Sequence, residues 1–581
     1  YRLMAEQVHY RLRYRPREGF QQYYYYIKET TWAGRLSAMM ELRDELLLFK
    51  RELEDGVEED DPRLRNDIAC ECALRWIDRA IRRGKYDDAI ATAEKIRSDV
   101  ELQARFKNAG PGAEAELYLL QGRAYGYRGY LTRAKQLLEH AYETIIKPGV
   151  ESDPFDKWRR DMLRAEILND LGYVARQQGL LEPSVKRYKE AISLWRRIGK
   201  KANSEHANTL NNYAMVLAEL GRYEQALRRC FDALEMRRRL GDDGPVAYSL
   251  NTLGLIEMRN DQPHGGLIRC RQALQIFRDL RLARGIGLAC TAAAEALRRQ
   301  ALTREMYNPA EKRQSLDETT RLAEEAVRVF SVDVQERMRL IEARIEVGCD
   351  HRDAAHFLAD ELNLAEREEL HAAGVEAFST ALAEMKDDAS FTHKRMEAQV
   401  NWAFLEHYMG DDEKAERLLA ETETNDAPQA YLLREIKTTD APQAYLLRAD
   451  ETRAVGEALP QPVFWTHLGK AALLRGRIAM RRFRCAGKDP EQAAVHLRAA
   501  AQHFTLALEY DRLFAPTFRD LRRGLDAIYG ELKGLNVRER AAFMQGAATT
   551  AGAYGLQRPT HLEQFIEAEL DIMDAAEPGD R

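Results

Sequence analysis

The sequence predicts an all-α protein, a solenoid of stacked antiparallel helix hairpins, from three observations. In the stretch from 207 to 239, apolar residues recur at helical spacing on both sides of a glycine turn. The same frame is found at 115–146 and 165–198, and it begins again near residue 247. Small residues occupy the positions where the two helices of a hairpin would approach each other. A chain of 581 residues therefore grows by adding hairpins rather than separate globular cores.

The hairpin at 207–239 defines the pattern. Its first helix carries Leu210, Tyr213, Ala214 and Leu217, its turn is Gly221, Arg222 and Tyr223, and its second helix carries Ala226, Cys230 and Ala233. The corresponding residues in the two clearest copies are Gly122, Tyr125, Gly129, Ala134, Leu138 and Ala141, and Leu171, Gly172, Ala175, Gly179, Ser184, Tyr188 and Ala191. Because the copies begin near residues 165, 207 and 247, the period is roughly 40 residues.

This spacing resembles the tetratricopeptide repeat, whose signature runs Trp, Leu-Gly, Tyr and then Ala, Phe and Pro. Tyr213 and Ala214 stand where Leu-Gly is usual. The long period resembles the repeats of kinesin light chains and those of the sensor regions of bacterial signal transduction ATPases with numerous domains (STAND proteins). The resemblance covers most of the chain. It implies a right-handed superhelix whose first helices line a concave groove that holds a protein or peptide.

Before and after the repeats, the pattern changes. In 9–17, aromatic or apolar residues alternate with arginines, which predicts a strand or an extended arm at the end of a preceding domain. A helix and an acidic linker should follow it. The predicted segments are an N-terminal extension at 1–62, a solenoid at 63–515 with insertions near 300–315, 350–365 and 425–460, and C-terminal capping helices at 516–581.

Two of the insertions have features of their own. A helix is expected to end near Val347, where the stretch from Gly348 to Asp353 interrupts the pattern before the next long helix. The last insertion contains an exact tandem duplication, DAPQAYLLR, at 426–434 and 440–448. A regulatory insertion and a tolerated duplication at an exposed loop both remain open for it.

Composition and motifs argue against several classes of function. The formal net charge of −6 argues against a chain devoted to nucleic acid, which normally has a strongly basic balance. No apolar run has the length of a transmembrane helix and no leader opens the chain, so we expect a cytoplasmic protein with no membrane partner. The chain starts without methionine, which suggests a piece of a longer protein.

The search for chemistry finds no phosphate-binding GxxxxGK[ST] loop and no GxGxxG, HExxH or GxSxG motif. Cys70 and Cys72 form a pair without the second pair of ligands that a zinc site needs. We therefore expect no enzyme activity, no cofactor and no metal.

A row of asparagines suggests a binding site. Asn169, Asn211 and Asn251 occupy the same place in three successive first helices, and an amide can both donate to and accept from a peptide backbone. The alternative is that these amides bridge neighbouring helices. The residues predicted to line the groove are Glu166, Asn169, Tyr173, Arg176, Asn208, Asn211, Asn212, Met215, Tyr248, Asn251 and Leu255.

We interpret the chain as a protein- or peptide-binding repeat domain, the ligand-sensing and autoinhibitory part of a STAND-type ATPase, monomeric when isolated. A constitutive scaffold is the first alternative. A nucleic-acid-binding helical repeat is the second, suggested by arginines at 196–197, 228–229 and 237–239.

Overall fold

The computed structural model of the protein describes residues 2–32, 36–55, 61–147, 154–199, 203–303, 309–386, 388–423, 462–486, 489–514 and 535–553. Within these ranges there are twenty-three α-helices and no strand, so the predicted all-helical solenoid is confirmed. The chain divides into two compact units. The first comprises residues 1–350 with 388–390, and the second comprises residues 351–387 with 391–581.

The first unit begins with three helices and continues with hairpins. Its helices are α1 (Arg2–Tyr14), α2 (Pro16–Trp32), α3 (Leu36–Glu54), α4 (Pro62–Arg82), α5 (Tyr86–Ser98), α6 (Val100–Ala109), α7 (Pro111–Tyr127), α8 (Leu131–Ile146), α9 (Pro154–Gln177), α10 (Leu181–Ile198), α11 (Ser204–Glu219), α12 (Tyr223–Leu240), α13 (Asp243–Arg259), α14 (Pro263–Asp279), α15 (Ala283–Thr303) and α16 (Pro309–Arg328). A π-helical turn (Val329–Asp333) follows α16, and α17 (Arg337–Phe357) contributes residues to both units.

The second unit contains the later helices. They are α18 (Leu364–Glu384), α19 (Thr392–Met409), α20 (Asp412–Glu423), α21 (Pro462–Cys485), α22 (Pro490–Phe514) and α23 (Val537–Ala553). Helices α21 and α22 pack as a close pair because Gly476 leaves room for the buried ring of Phe504. No helix in the described part of the chain is long and apolar enough to cross a membrane.

The extended arm expected at 9–17 is wrong, because these residues belong to helices α1 and α2. Ala5, Val8 and Leu12 are buried, and their spacing of three and four residues is the helical period. Arg13 donates to the carbonyl of His9, one helical turn earlier, at 2.8 Å. The alternation of arginines therefore lies on a helix whose buried side is set by other residues.

The turn between the two helices repeats one geometry in four hairpins. Gly84, Gly129, Gly179 and Gly221 all have positive φ, between 71° and 83°. At the last of these, Arg222 N donates to Leu217 O at 2.8 Å, the long-range bond of a left-handed helix C-cap. Glycine is favoured there because it lacks the Cβ that makes this conformation costly for other residues. The predicted turn at Gly221 is therefore the one observed.

Small residues let the two helices of a hairpin touch. A Cβ on Gly172 would lie 2.9 Å from the ring of Tyr188, and Ser184 Oγ donates to Gly172 O at 2.7 Å. Ala191 and Ala226 are completely buried at equivalent contacts. The interior thus excludes larger side chains at the positions that the sequence pattern singled out.

The stacking of hairpins creates an inner face. First helices of successive hairpins contact one another, whereas each second helix packs mainly against its own first helix and the first helix of the next hairpin. We call the surface formed by the first helices of the first unit the inner face; it comprises α4, α7, α9, α11, α13 and α15. It is the surface toward which a stack with this contact pattern curves.

The first unit curves enough for early hairpins to reach its late part. Arg128 Nη1 donates to Gln335 O at 2.8 Å, and the hydroxyl oxygens of Thr132 and Ser390 lie 3.0 Å apart. A Cβ on Gly129 would lie 3.2 Å from Cβ of Arg337. The turn after α7 therefore packs directly against the start of α17.

The interruption expected at 348–353 is wrong as a helix end, because α17 continues through this stretch to Phe357. Asp350 is buried within the helix and accepts a hydrogen bond from Thr320 on α16. The next helix, α18, begins after Asn363, which forms a capping box with Glu366. The hydrogen bond from Thr320 thus gives the buried Asp350 a partner within a helical stretch that looks polar in the sequence.

Several expectations fall on other parts of the chain. Part of the insertion near 300–315, at residues 304–308, lies outside the described residues. So does the insertion at 425–460 with its duplication, as well as most of the predicted C-terminal cap. Within that cap, α23 is the described helix.

Candidate binding surface on the first unit

The residues predicted to line a groove all lie on α9, α11 and α13, the first helices of three successive hairpins. None of them is fully exposed. Glu166, Asn169, Asn211, Met215 and Asn251 are buried, and Tyr173, Arg176, Asn208, Asn212, Tyr248 and Leu255 are half-buried. The structure therefore brings the predicted set together on the inner face, although nearly half of it is covered by other protein atoms.

The asparagines are hydrogen-bonded to one another and to neighbouring helices. Asn212 Nδ2 donates to Asn169 Oδ1 at 3.1 Å, which joins α11 to α9. Asn211 Nδ2 donates to Thr252 Oγ1 at 2.8 Å, which joins α11 to α13. Asn169 also donates to Asp170 Oδ1 at 2.9 Å. These bonds are of the helix-bridging kind that the sequence left as an alternative, and the role of the amides in ligand binding stays a prediction.

The row of amides ends at Asn251. Its side-chain oxygen is buried and has no hydrogen-bond partner among the described residues. The partner of Asn211 lies 41 residues further along the chain, and the same step from Asn251 leads to Ala292, which has no polar side chain. Asn251 therefore occupies the position in its own helix that Asn211 occupies in α11, but it lacks the hydrogen bond to the next first helix.

Aromatic and charged residues complete the predicted set. The Tyr173 ring packs edge-on against Tyr127, with ring centres 5.8 Å apart, and Tyr248 packs in the same way on Phe277 at 4.7 Å. Arg176 binds Glu219 through two nitrogens, Nε at 3.0 Å and Nη2 at 2.7 Å. Arg176 thus links α9 to α11, while the tyrosines keep part of their surface available.

Helix α2, which lies within the segment 1–62 predicted to be an extension, packs against the inner face. It contacts α4 and α11 directly. The ring of Tyr24 packs edge-on against two aromatic residues of α9, Phe155 at 5.7 Å and Trp158 at 6.2 Å. Tyr24 and Lys28 are four residues apart and therefore share one face of α2. That spacing is the only signal in the sequence for this contact.

Glu116, on α7, is the centre of the contact with α2. The Tyr24 hydroxyl donates to Glu116 Oε2 and Lys28 Nζ donates to Glu116 Oε1, both at 2.8 Å. Arg75 of α4 forms a further hydrogen bond to the same carboxylate, and Arg159 Nη2 lies 3.6 Å from its Oε2. Glu116 is only 1% exposed, so all of these interactions are shielded from water.

The charged groups in this cluster stabilise one another in their ionised forms. Burial alone would raise the pKa of Glu116, but Lys28, Arg75 and Arg159 outweigh burial and hold that pKa far below its usual range. Burial also opposes the charge on Lys28, and there Glu116 and Glu166 raise the pKa above its ordinary value. Lys28 is therefore a cation and Glu116 an anion at neutral pH.

Arg237 is a buried cation with neutral partners. Its Nη1 donates to Ser249 Oγ at 2.8 Å and to Pro245 O at 3.0 Å, and its Nη2 donates to Asn208 Oδ1 at 3.2 Å. Burial lowers its pKa to about 10, only partly opposed by Cys230 and Glu205. The side chain ties α12 to α11 and α13 and leaves Asn208 engaged.

Nothing in the described ranges is suited to hold a metal ion, since no three His, Cys, Asp or Glu side chains converge there. Burial raises the pKa of the Cys70 and Cys72 thiols to about 12. Both therefore stay protonated at neutral pH, whereas metal binding and nucleophilic chemistry require the thiolate. What the surface offers instead is aromatic area, amides and charge, the means of recognising another polypeptide.

Comparison with known proteins bears on the central hairpins. A family model described as the tetratricopeptide repeat matches residues 163–239 and 205–278, which correspond to the hairpins from α9 to α14. No curated protein sequence matches the chain.

Three solved structures are similar in fold at low identity. A Rap protein complexed with competence and sporulation factor is 15% identical, with 72% of this chain and 98% of that chain covered and a TM-score of 0.46. A monomeric IFIT1 mutant with Gppp-AAAA is 14% identical, with 91% and 95% covered and a TM-score of 0.45. A STAND protein with a tetratricopeptide repeat sensor from Pyrococcus horikoshii is 14% identical, with 68% and 54% covered and a TM-score of 0.36.

Proposed function

Since this chain is a tetratricopeptide-repeat protein, we propose that its first unit binds a segment of a partner protein on the inner face. The observation that supports this is helix α2, because the inner face already holds a helical polypeptide through Tyr24 and Lys28. A helix laid against a helical surface is a common mode of peptide recognition. The exposed parts of Tyr173, Tyr248 and Leu255 on neighbouring first helices provide apolar area for the partner.

We further propose that the chain is the sensing and autoinhibitory part of a STAND-type signalling ATPase. In this role the domain performs no catalysis itself. A ligand on the repeats would shift the balance between two states of an attached switch by its different affinity for them. The proposal places the chain in the cytoplasm and makes it a monomer when isolated. Its support is the repeat pattern of about 40 residues, with first helices that carry the predicted groove residues.

Site-specific photo-crosslinking tests the binding proposal. The photoreactive amino acid p-benzoylphenylalanine is placed at Tyr248 on the inner face or, as a control, at Phe231, which is 49% exposed on the second helix α12. We expect a protein adduct from the Tyr248 position and none from the Phe231 position. Equal adduct yields at both positions, or adducts from Phe231 alone, would contradict inner-face binding.

A constitutive scaffold is the second candidate function, because the amide bridges and ion pairs between first helices would also suit a rigid holder. The two functions differ in whether partner binding is coupled to nucleotide binding by the attached ATPase. A sensor that has two states must bind its partner with different affinity in the presence and absence of the attached ATPase's nucleotide. Partner affinity that is unaffected by nucleotide in the parent protein would favour the scaffold.

A further inference from the structure

Helix α2 supplies cations to buried carboxylates of the repeats. The buried ion-paired cluster on the inner face contains five carboxylates: Glu71, Asp78, Glu116, Glu166 and Asp170. The repeats themselves supply four guanidinium groups to this cluster: Arg75, Arg123 and Arg159, which are mostly buried, and Arg82, whose side chain is 45% exposed. The fifth cation is Lys28 of α2, with Nζ 2.8 Å from Glu116 and 3.8 Å from Glu166. Without α2, Glu116 would lose Lys28, and the buried Asp67 of α4 would lose Arg17, whose Nη1 lies 2.8 Å from its Oδ2.

The aromatic part of the contact also has a specific geometry. Tyr24 is fully buried, with its ring 4.5 Å from the guanidinium carbon of Arg159 and edge-on to Phe155 and Trp158. Its hydroxyl donates to the same Glu116 that binds Lys28. One helical face of α2 therefore presents an aromatic ring and, one turn later, a cation to a site made entirely by the repeats.

These contacts suit a helix that can be exchanged for another, rather than one that is held permanently. A buried ion pair gains little net free energy, because the attraction is largely offset by the loss of hydration. A helix from another protein that brought the same two groups would restore the contacts of Tyr24 and Lys28 with Glu116, though not the ion pair of Arg17 with Asp67. A basic occupant suits this site best, since it would replace the cation of Lys28, which lies 2.8 Å from Glu116 and 3.8 Å from Glu166.

We propose that α2 is an internal ligand of the inner face, and that the partner presents a basic amphipathic helix whose aromatic residue and lysine, four residues apart, replace Tyr24 and Lys28. This inference rests on the proposed function and specifies its partner. Partner binding and release of α2 are then one exchange reaction at Glu116.

The test uses the full chain and a synthetic, uniformly 15N-labelled peptide with the sequence of residues 16–32. The isotope label separates its peptic fragments from those of the chain. We expect excess peptide to raise hydrogen exchange in residues 16–32 of the chain while α7 and α9 stay protected. A peptide carrying K28E serves as the control and should leave exchange unchanged. Unchanged exchange with the unmodified peptide at saturating concentration, or an equal response to K28E, overturns the proposal.

A variant of the full chain gives a second readout. In Y24A/K28A the internal ligand is weakened, and we expect the peptide to bind at least tenfold more tightly than it binds the unmodified chain. Equal affinity for both chains, with the variant folded by circular dichroism, overturns the proposal. If a partner is crosslinked to Tyr248 without any change in exchange of α2, this inference fails while inner-face binding stands.

Discussion

The two units place different side chains beside their buried carboxylates. In the first unit the buried carboxylate of Glu116 is matched by Lys28, Arg75 and Arg159, whose charges persist over the whole range in which proteins are usually studied. In the second unit the buried carboxylate of Glu406 lies 2.9 Å from His371 Nε2 and 2.7 Å from Lys414 Nζ.

Histidine recurs in the second unit. Asp412 lies 2.7 Å from His407 Nδ1 and 2.9 Å from Arg481 Nη1. Histidine is the side chain whose charge ordinarily changes near neutral pH. Helical units of similar construction can therefore differ in their response to protons, because this response depends on which buried side chains are kept neutral in the folded chain and gain a proton on unfolding.

The largest effect is expected from Glu116→Gln in the first unit. Lys28, Arg75 and Arg159 would keep their buried charges and lose their anion, at a cost of about 3–5 kcal/mol in the free energy of unfolding. Hydrogen exchange with mass spectrometry should show lost protection in α7 and α9 and none in α21. The control is Glu235→Gln, which removes an exposed ion pair with Arg239 at 3.1 Å and should cost less than about 0.5 kcal/mol. Equal losses in both variants would contradict a central role for Glu116.

Acid should destabilise the second unit more than the first. Burial lowers the pKa of His407 to about 4, although its hydrogen bond to Asp412 opposes the shift. Burial lowers the pKa of His467 to about 3, opposed by the charge of Glu397. The unfolded chain, with histidine pKa near 6.5, therefore binds more protons than the folded chain between about pH 4 and 6.5. Stability that is complete above pH 6.5 is lost as the pH falls through this window.

At pH 5 the loss is about 2 kcal/mol for each of these two histidines. In the first unit, burial likewise lowers the pKa of His206 to about 4, but that side chain is only half-buried. Exchange measured at pH 7 and pH 5, corrected for intrinsic rates, should show α21 losing more protection than α9. His467→Leu should reduce the difference between the two pH values in α21. A loss that is larger in α9 would contradict the prediction.

Two asparagines at matched positions should differ in their contribution to stability. Asn211→Ala removes the bond to Thr252 and should cost about 1 kcal/mol, measured from the urea midpoint. Asn251→Ala should cost less, because its side-chain oxygen has no partner to lose. The opposite order would show that the amide bridge is not what holds α11 to α13. Weaker partner binding by Asn251→Ala at unchanged stability would instead support the groove role predicted for this row.

The smallest expected effect is a gain in the stability of the first unit. Arg281 has a φ of 53° in the turn between α14 and α15, a conformation that is unfavourable for any residue with a Cβ. Arg281→Gly relieves this cost at the expense of a more flexible unfolded chain, so we expect a gain of up to about 1 kcal/mol. A higher melting temperature for the first unit would widen the acid contrast. A lower one would show that the arginine side chain contributes more than its backbone costs.

Local features of the repeats could be predicted from the sequence because they depend on nearby residues. The turn at Gly221 needs only a residue that tolerates positive φ, and the contact of Gly172 with Tyr188 needs only the spacing within one hairpin. The extended arm at 9–17 was wrong because an alternation of arginines says nothing about which side of the segment is buried. Ala5, Val8 and Leu12 decide that by packing inside.

The contacts of the candidate site could not be predicted in the same way. Lys28 meets Glu116, which lies 88 residues away, and no local pattern reveals such a partner. For the asparagine row, spacing shows that the residues share one face of their helices but not what covers that face. The hydrogen bond from Asn211 to Thr252 depends on how closely α11 and α13 pack, a property of the stack as a whole.

The bond between Arg128 and Gln335 joins positions 207 residues apart. In an open stack, each hairpin gains support only from its neighbours, so unfolding can begin at an end and spread gradually. A stack whose second hairpin also touches the start of α17 resists such fraying, because the hairpins between them are held at both ends. Contacts so distant along the chain also slow folding. The first unit should therefore be slow to form and then lose its structure in a single cooperative step.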